Sequence, residues 1–199
     1  MLDQPLQVIN LFGAPGIGKS GCASGLFSLM KSSHQSVQLI TEVAKALQLG
    51  GQGWRLDWDQ CGIFGLQQYE QLVLRGKYEY AITDSPLMLC AFYGKRKYPD
   101  SYYSLVRESF EEYENHNFFL WRDLDTASPF ETEGRAHDRE MSRVIQERMP
   151  EFLTRNGIAF KTIEVQEDRT SWQLLDEVKP GLKKAPSFDR TDFDIAHAL

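Results

Sequence analysis

No stretch of this 199-residue chain comes near the roughly 18 consecutive apolar residues that a membrane helix needs. The opening residues, Met1-Leu2-Asp3-Gln4-Pro5, hold neither a basic segment nor an apolar one, so no secretion signal is read there. Cysteine is scarce. Cys22, Cys61 and Cys90 are odd in number, far apart and without a CxxC pair, which argues against a zinc knot or a disulfide framework and for a reducing, cytoplasmic setting. The histidines (His34, His116, His137, His197) show no metal-ligand spacing, so neither a zinc site nor a catalytic histidine is expected. Positive charge is short too: 22 Lys and Arg face 28 Asp and Glu, a net charge of −6 that disfavours broad nucleic-acid binding while leaving room for a local basic strip. What remains, 42% hydrophobic and 25% charged residues, suits a globular domain with a sizeable core rather than a disordered chain.

Short apolar runs alternate with longer amphipathic ones. The spacing predicts strands at Gln7–Phe12, Val37–Ile40, Tyr80–Thr83, Phe118–Trp121 and Phe160–Val165. It predicts helices at Ser20–Lys31, Glu42–Leu49, Cys61–Arg75, Ser101–Glu114, His137–Arg155 and Ser171–Val178, with Gly50-Gly51-Gln52-Gly53 as a flexible stop after the second. Ser85 suits a helix N-cap and Pro86 a first helical turn. Strands separated by helices imply βαβ crossovers, hence an α/β fold with a mostly parallel sheet covered on both faces. No composition break marks a second domain, so residues 1–178 read as one unit. Residues 179–199 read as a polar tail that wraps the surface or is partly disordered.

The sharpest signal is Gly13-Ala14-Pro15-Gly16-Ile17-Gly18-Lys19-Ser20, followed by Gly21, which fits GxxxxGK[ST] between a strand and a helix. Triphosphate oxygens need several backbone N–H donors converging from one side, and glycine lets the backbone curl that closely. The helix start adds unpaired donors and partial positive charge. Lys19 supplies a mobile cation for the outer phosphates, and Ser20 a hydroxyl ligand for Mg²⁺. ATP or GTP binding follows, and with no NKxD sequence to read guanine a GTPase is disfavoured.

In an open parallel sheet, ligands sit beyond the carboxyl ends of the strands. The residues there are Thr41-Glu42, Asp84-Ser85 and Arg122-Asp123. Asp84 is the candidate Mg²⁺ ligand beside Ser20. Glu42 is a candidate base for an acceptor hydroxyl, or else simply opens a helix, where negative charge is favourable anyway. Arg122 faces the same crevice as a candidate substrate contact. Arg135, Arg139 and Arg143 recur on one side of a helix start behind the polar segment 125–134. Arg135 and Arg139 suit a closing lid over about residues 125–143, whereas Arg143 is explained by pairing with nearby glutamates. The Gln67 amide is placed to meet an acceptor. Trp54, Trp58, Phe64 and Tyr69 either stack on a planar ring or, as is commoner at helical spacing, fill the core. Lys95-Arg96-Lys97 is a compact basic run of the kind usually found in solvated loops.

The ordered set LFGAPGIGKS, ITEVAKAL, DQCGIFGLQQ, ITDSPL, NFFLWR and EGRAHDREMSRVI resembles the nucleoside and nucleotide kinase branch of P-loop proteins over about residues 6–165. Its closest likeness is to a group of phage-encoded P-loop ATPase/kinase proteins, similar in turn to the ribosylnicotinamide kinase module of bacterial NAD regulators. That resemblance implies a three-layer P-loop NTPase fold with a five-stranded parallel sheet of order 2-3-1-4-5 and a helical lid. It also implies Mg-ATP as phosphoryl donor, Glu42 at the acceptor, Asp84 at the metal, and Arg135 and Arg139 in the lid.

The expected activity is therefore Mg²⁺- and ATP-dependent phosphorylation of a hydroxyl on a small nucleoside- or nucleotide-like acceptor. Two rivals are a kinase acting on hydroxymethylated pyrimidines within DNA and a regulatory NTP-binding switch. An oligomeric AAA-type motor is set aside, because the chain leaves no room for a separate helical lid domain of usual size.

Overall fold

The apolar run from Gln7 becomes strand β1 (Gln7–Phe12), buried from Val8 onward on both of its faces in the computed structural model, which describes residues 5–95, 97–124, 139–166 and 169–181. A strand apolar on both sides belongs at the centre of a covered sheet. It pairs with β3 (Tyr80–Thr83) on one side and β4 (Glu114–Trp121) on the other. β2 (Val37–Ile40) lies beyond β3 and β5 (Lys161–Glu164) beyond β4. The order is β2-β3-β1-β4-β5 and every pairing is parallel, as the resemblance implied. All five carboxyl ends therefore meet along one edge.

Right-handed crossovers decide which face each helix covers. The step from β1 back to β2 sends α1 (Lys19–Ser32) to one face. The later steps run the other way and send α2 (Val43–Leu49), α3 (Arg55–Trp58), α4 (Gln60–Leu72), α5 (Met88–Gly94), α6 (Asp100–Glu111) and α7 (Arg139–Arg155) to the opposite face. The packing agrees: α4 meets α5 and α6, while α1 meets α8 (Thr170–Val178). The α1–α8 approach is close, because a Cβ on Gly25 would lie 2.3 Å from Ser171 Oγ, and that hydroxyl donates to the Cys22 carbonyl at 3.2 Å. Ile9, Leu11, Leu26, Met30, Ile82, Leu87, Leu120, Met149 and Leu153 are almost wholly buried and tie the three layers into one core.

Local chemistry moved several boundaries. The expected cap at Ser85 does not form: α5 starts at Met88 with Leu87 in the cap position. The Ser85 N–H is instead taken by Thr83 Oγ1 at 3.1 Å, which shapes a turn between β3 and α5. The glycine- and tryptophan-rich stretch contains the single turn α3, closed by the Arg55–Asp59 pair at 2.6 Å. Asp59 then caps α4 by accepting from the Gly62 N–H at 2.9 Å. α6 ends at Glu111, and β4 begins at Glu114, taking polar residues the periodicity left outside the strand. Arg135 and most of the expected lid, Arg96 of the basic run, and nearly all of the tail lie outside the described residues. Among the described residues, no helix is long and apolar enough to cross a membrane.

Candidate nucleotide-binding site

Between β1 and α1 the chain makes one tight curl. Gly13, Gly16 and Gly18 take φ of 150°, 87° and 100°, conformations that L side chains rarely adopt. Gly13 is also crowded: a Cβ there would stand 2.4 Å from Ile17 Cδ1 and 2.8 Å from the Leu120 carbonyl of the neighbouring strand. Ala14 and Ile17 are fully buried and plug the loop from beneath, whereas Gly18 and Ser20 face outward. The expected nucleotide contacts thus split into an inner set that builds the curl and an outer set that faces a ligand. Gly21 sits on the exposed side of α1, and a Cβ there would meet nothing within 4 Å. No side chain caps α1, and no acidic residue stands in its first turn. Its opening amides face outward with partial positive charge, which favours an anion. The Lys19 ammonium arcs back over the curl and donates to the carbonyls of Gly13 at 2.9 Å and Ala14 at 2.8 Å.

Asp84 comes to this loop through sheet register. Asn10 stands opposite Thr83, so the residue after β3 lies level with the last turnless residues of β1. The residue is only 6% exposed, and Oδ1 is buried with no hydrogen-bond partner among the described residues. An unmatched buried carboxylate oxygen is costly and rare, and a hard cation relieves the cost. Mg²⁺ is held by one or two protein oxygens together with substrate phosphates rather than by an all-protein cage. The donor set fits that pattern: Asp84 and the exposed Ser20 hydroxyl are hard oxygens, and the described residues contain no cluster of three or more His, Cys, Asp or Glu.

Glu42 and Arg122 flank the loop from opposite sides. They follow β2 and β4, which are three strand spacings apart, or about 14 Å. Glu42 occupies the N-cap position of α2 without making a side-chain cap bond, and it is half-buried. Its carboxylate faces Tyr93 of α5: burial pushes that phenol up, and the Glu42 charge adds to the rise. Arg122 is bound through its backbone to α7, its carbonyl accepting from Gln146 Nε2 at 3.0 Å. Its positive charge acts on Cys22 of α1. Burial pushes the Cys22 thiol up, while a side-chain hydrogen bond with Thr170 and the charges of Arg122 and Lys19 act the other way. The Arg122 charge thus acts on α1, and the Glu42 charge on α5.

Arg139 opens α7 and is half-buried, and Arg143 pairs with Glu140 at 3.5 Å, as its spacing suggested. Gln67 is a correction. It is 2% exposed, and both ends of its amide are engaged inside the protein: Nε2 donates to the Ser85 carbonyl at 2.8 Å, and Oε1 accepts from Cys90 Sγ at 3.2 Å. It offers nothing to an acceptor.

The aromatics divide as well. Phe64 is core, but Trp54, Trp58 and Tyr69 are 64%, 75% and 61% exposed. Lys97 lies over the Trp58 ring at 5.0 Å and donates to the Asp57 carbonyl at 2.9 Å, so it braces α3 rather than floating in a solvated loop. Sequence reasoning missed Thr83 and Tyr93. A threonine ending a strand and a tyrosine in a short helix carry no sign of what they will face.

A family model described as an AAA domain matches residues 8–173 of the chain, from the start of β1 into α8. No curated protein matches it.

Proposed function

The chain belongs to that AAA domain family, whose P-loop binds a nucleotide, and on this footing we propose that it is a kinase passing the γ-phosphoryl group of ATP to a hydroxyl of a nucleoside- or nucleotide-like acceptor. The observation that carries the proposal is the buried Oδ1 of Asp84, which has no hydrogen-bond partner among the described residues and follows β3 at the sheet edge where the phosphate loop opens. When bound, Mg²⁺ would neutralise charge on the β- and γ-phosphates between Ser20 and Asp84.

The chain's own residues supply the remainder. The amides of the curl and the α1 start hold the phosphates, and Lys19 swings from the Gly13 and Ala14 carbonyls to the outer ones. Glu42, on the acceptor side, orients the hydroxyl and takes its proton as the new O–P bond forms and the bond to the ADP oxygen breaks. Arg122 acts from the β4 side of the loop. Arg139, with Arg135 ahead of it, neutralises charge on the migrating group and excludes water. The resemblance to the phage-encoded kinases and the ribosylnicotinamide kinase module favours a small acceptor.

One observation favours a second reading. Exposed Trp58 beneath Lys97, with exposed Trp54 at the start of the same turn, offers a stacking surface with a cation, which also suits a base within a DNA strand. Purified protein would be screened with Mg-ATP against nucleosides, nucleotides, ribosylnicotinamide and hydroxymethylated DNA, reading ADP release. Acceptor-dependent turnover supports the kinase. ADP release indifferent to every acceptor would reject it in favour of a slow hydrolytic switch. A steep salt dependence of DNA binding would select the polymer.

A further inference from the structure

We propose that Gln67 is a positioning residue for Asp84, holding the turn after β3 so that the carboxylate stays aimed at the phosphate loop although Gln67 touches no ligand. The turn needs holding. Residues 84–87 lie between β3 and α5, outside both the strand ladder and the helix, and Pro86 has no N–H to offer. A carboxylate with a buried, unmatched oxygen is pulled toward water unless its backbone is fixed.

The backbone is fixed on both sides of Ser85. Thr83 Oγ1 accepts from the Ser85 N–H at 3.1 Å, and Gln67 Nε2 donates to the Ser85 carbonyl at 2.8 Å. Both polar main-chain groups one residue beyond Asp84 are thus bound by side chains, one from β3 and one from α4.

The orientation of the Gln67 amide follows from its partners. A carbonyl only accepts, so Nε2 must face Ser85. That leaves Oε1 for Cys90, whose thiol donates at 3.2 Å. Burial pushes the Cys90 thiol up to about 12, so it keeps its proton at neutral pH and can donate to Oε1. Three elements converge on one amide: α4 carries it, the turn receives its Nε2 donor, and α5 supplies a thiol to its Oε1.

The proposal rests on Asp84 being the metal-facing carboxylate, and the test separates the two ideas. Binding of a fluorescent ATP analogue to the full chain would be titrated with MgCl₂ and repeated in EDTA, with amide hydrogen exchange followed across residues 83–89. Gln67→Met keeps the bulk and removes the donor. It should raise the Mg²⁺ half-point about tenfold, leave nucleotide affinity in EDTA within about twofold, and speed exchange at Ser85. Cys90→Ala spares the Nε2–Ser85 bond and should move the half-point by less than about twofold. Asp84→Asn serves as the reference. If Asp84→Asn shifts the half-point and Gln67→Met does not, the positioning role is wrong. If Cys90→Ala matches Gln67→Met, the effect is general repacking and the role is again wrong. If Asp84→Asn leaves the Mg²⁺ requirement untouched, Asp84 is not the metal-facing group and this proposal falls with it. Should Gln67→Met fail to fold, Gln67→Glu, which keeps the length and turns an acceptor on the Ser85 carbonyl, is judged by the same shift.

Discussion

Asn10 of β1 and Thr83 of β3 stand opposite each other in a parallel ladder. β3 ends at Thr83 while β1 runs on to Phe12, so their register sets Asp84 level with Leu11, two residues before the glycine curl opens at Gly13. The glycine curl supplies amides for an anion, and Asp84 supplies an oxygen that nothing in the described protein satisfies. One pairing therefore brings a polyanion cradle and a cation ligand together.

Asp84→Asn should separate stability from activity. Removing an unmatched buried charge raises the stability of the ligand-free protein by about 1 kcal/mol, while the loss of a metal ligand slows ATP turnover roughly a hundredfold. Thermal melting without nucleotide, paired with steady-state turnover, checks both halves. A variant that melts lower and turns over normally would remove Asp84 from the site.

Gly13→Ala should destroy the site and weaken the fold together. The new methyl would meet Ile17 Cδ1 and the Leu120 carbonyl, and the second cannot yield without moving β4. With the strain of a φ near 150°, the cost is about 3 kcal/mol. Gly21→Ala is the control, since its Cβ meets nothing within 4 Å. Urea unfolding and nucleotide binding of both variants read the difference; equal behaviour of the two would contradict the crowding at Gly13.

β1, β2 and β3 lie where the pattern placed them, because each is a short, mainly apolar run, although β2 stands at the edge of the sheet. β4 was half-read. Glu114-Asn115-His116-Asn117 is too polar to announce a strand, yet it forms one because Asn10 Nδ2 donates to Asn115 Oδ1 at 2.8 Å and Asn117 Oδ1 at 3.1 Å inside the sheet. The phosphate loop was legible because its glycines answer a backbone demand written in the sequence itself. Gln67 was misread for the opposite reason: an amide's partners are set by tertiary packing, and its spacing cannot distinguish a ligand contact from a clamp. Of the two readings open for Trp54 and Trp58, the core one fails, because they cap and end a single-turn helix, where helical spacing does not imply a buried face.

His116 gives the fold a sensitivity to acid. Its Nε2 lies 3.0 Å from Gln7 Oε1, an acceptor, and burial holds its pKa below the ordinary 6.5, with Glu114 pulling weakly the other way. The unfolded chain therefore takes up a proton that the folded protein resists. This contribution to stability is complete above pH 6.5 and is lost as pH falls from 6.5 toward the lower folded value. His116→Gln should flatten that limb, read as urea midpoints through the same range. Parallel acid limbs in both proteins would assign the sensitivity to other groups.

Glu42 decides between a kinase and a site that only binds. As the acceptor base it should be dispensable for ATP and essential for transfer. Glu42→Gln should leave nucleotide affinity unchanged and lower kcat roughly a hundredfold or more. Were it a mere helix opener, affinity and kcat would both stay unchanged, because it makes no side-chain cap bond whose loss could unsettle α2. A second signal verifies that the variant has changed the intended place. The Glu42 charge helps to raise the Tyr93 phenol, so neutralising it should bring that titration down, visible as an earlier rise in phenolate absorbance on alkaline titration. A lowered Tyr93 titration with unchanged kcat would show that the carboxylate is where the geometry puts it and has no part in proton transfer.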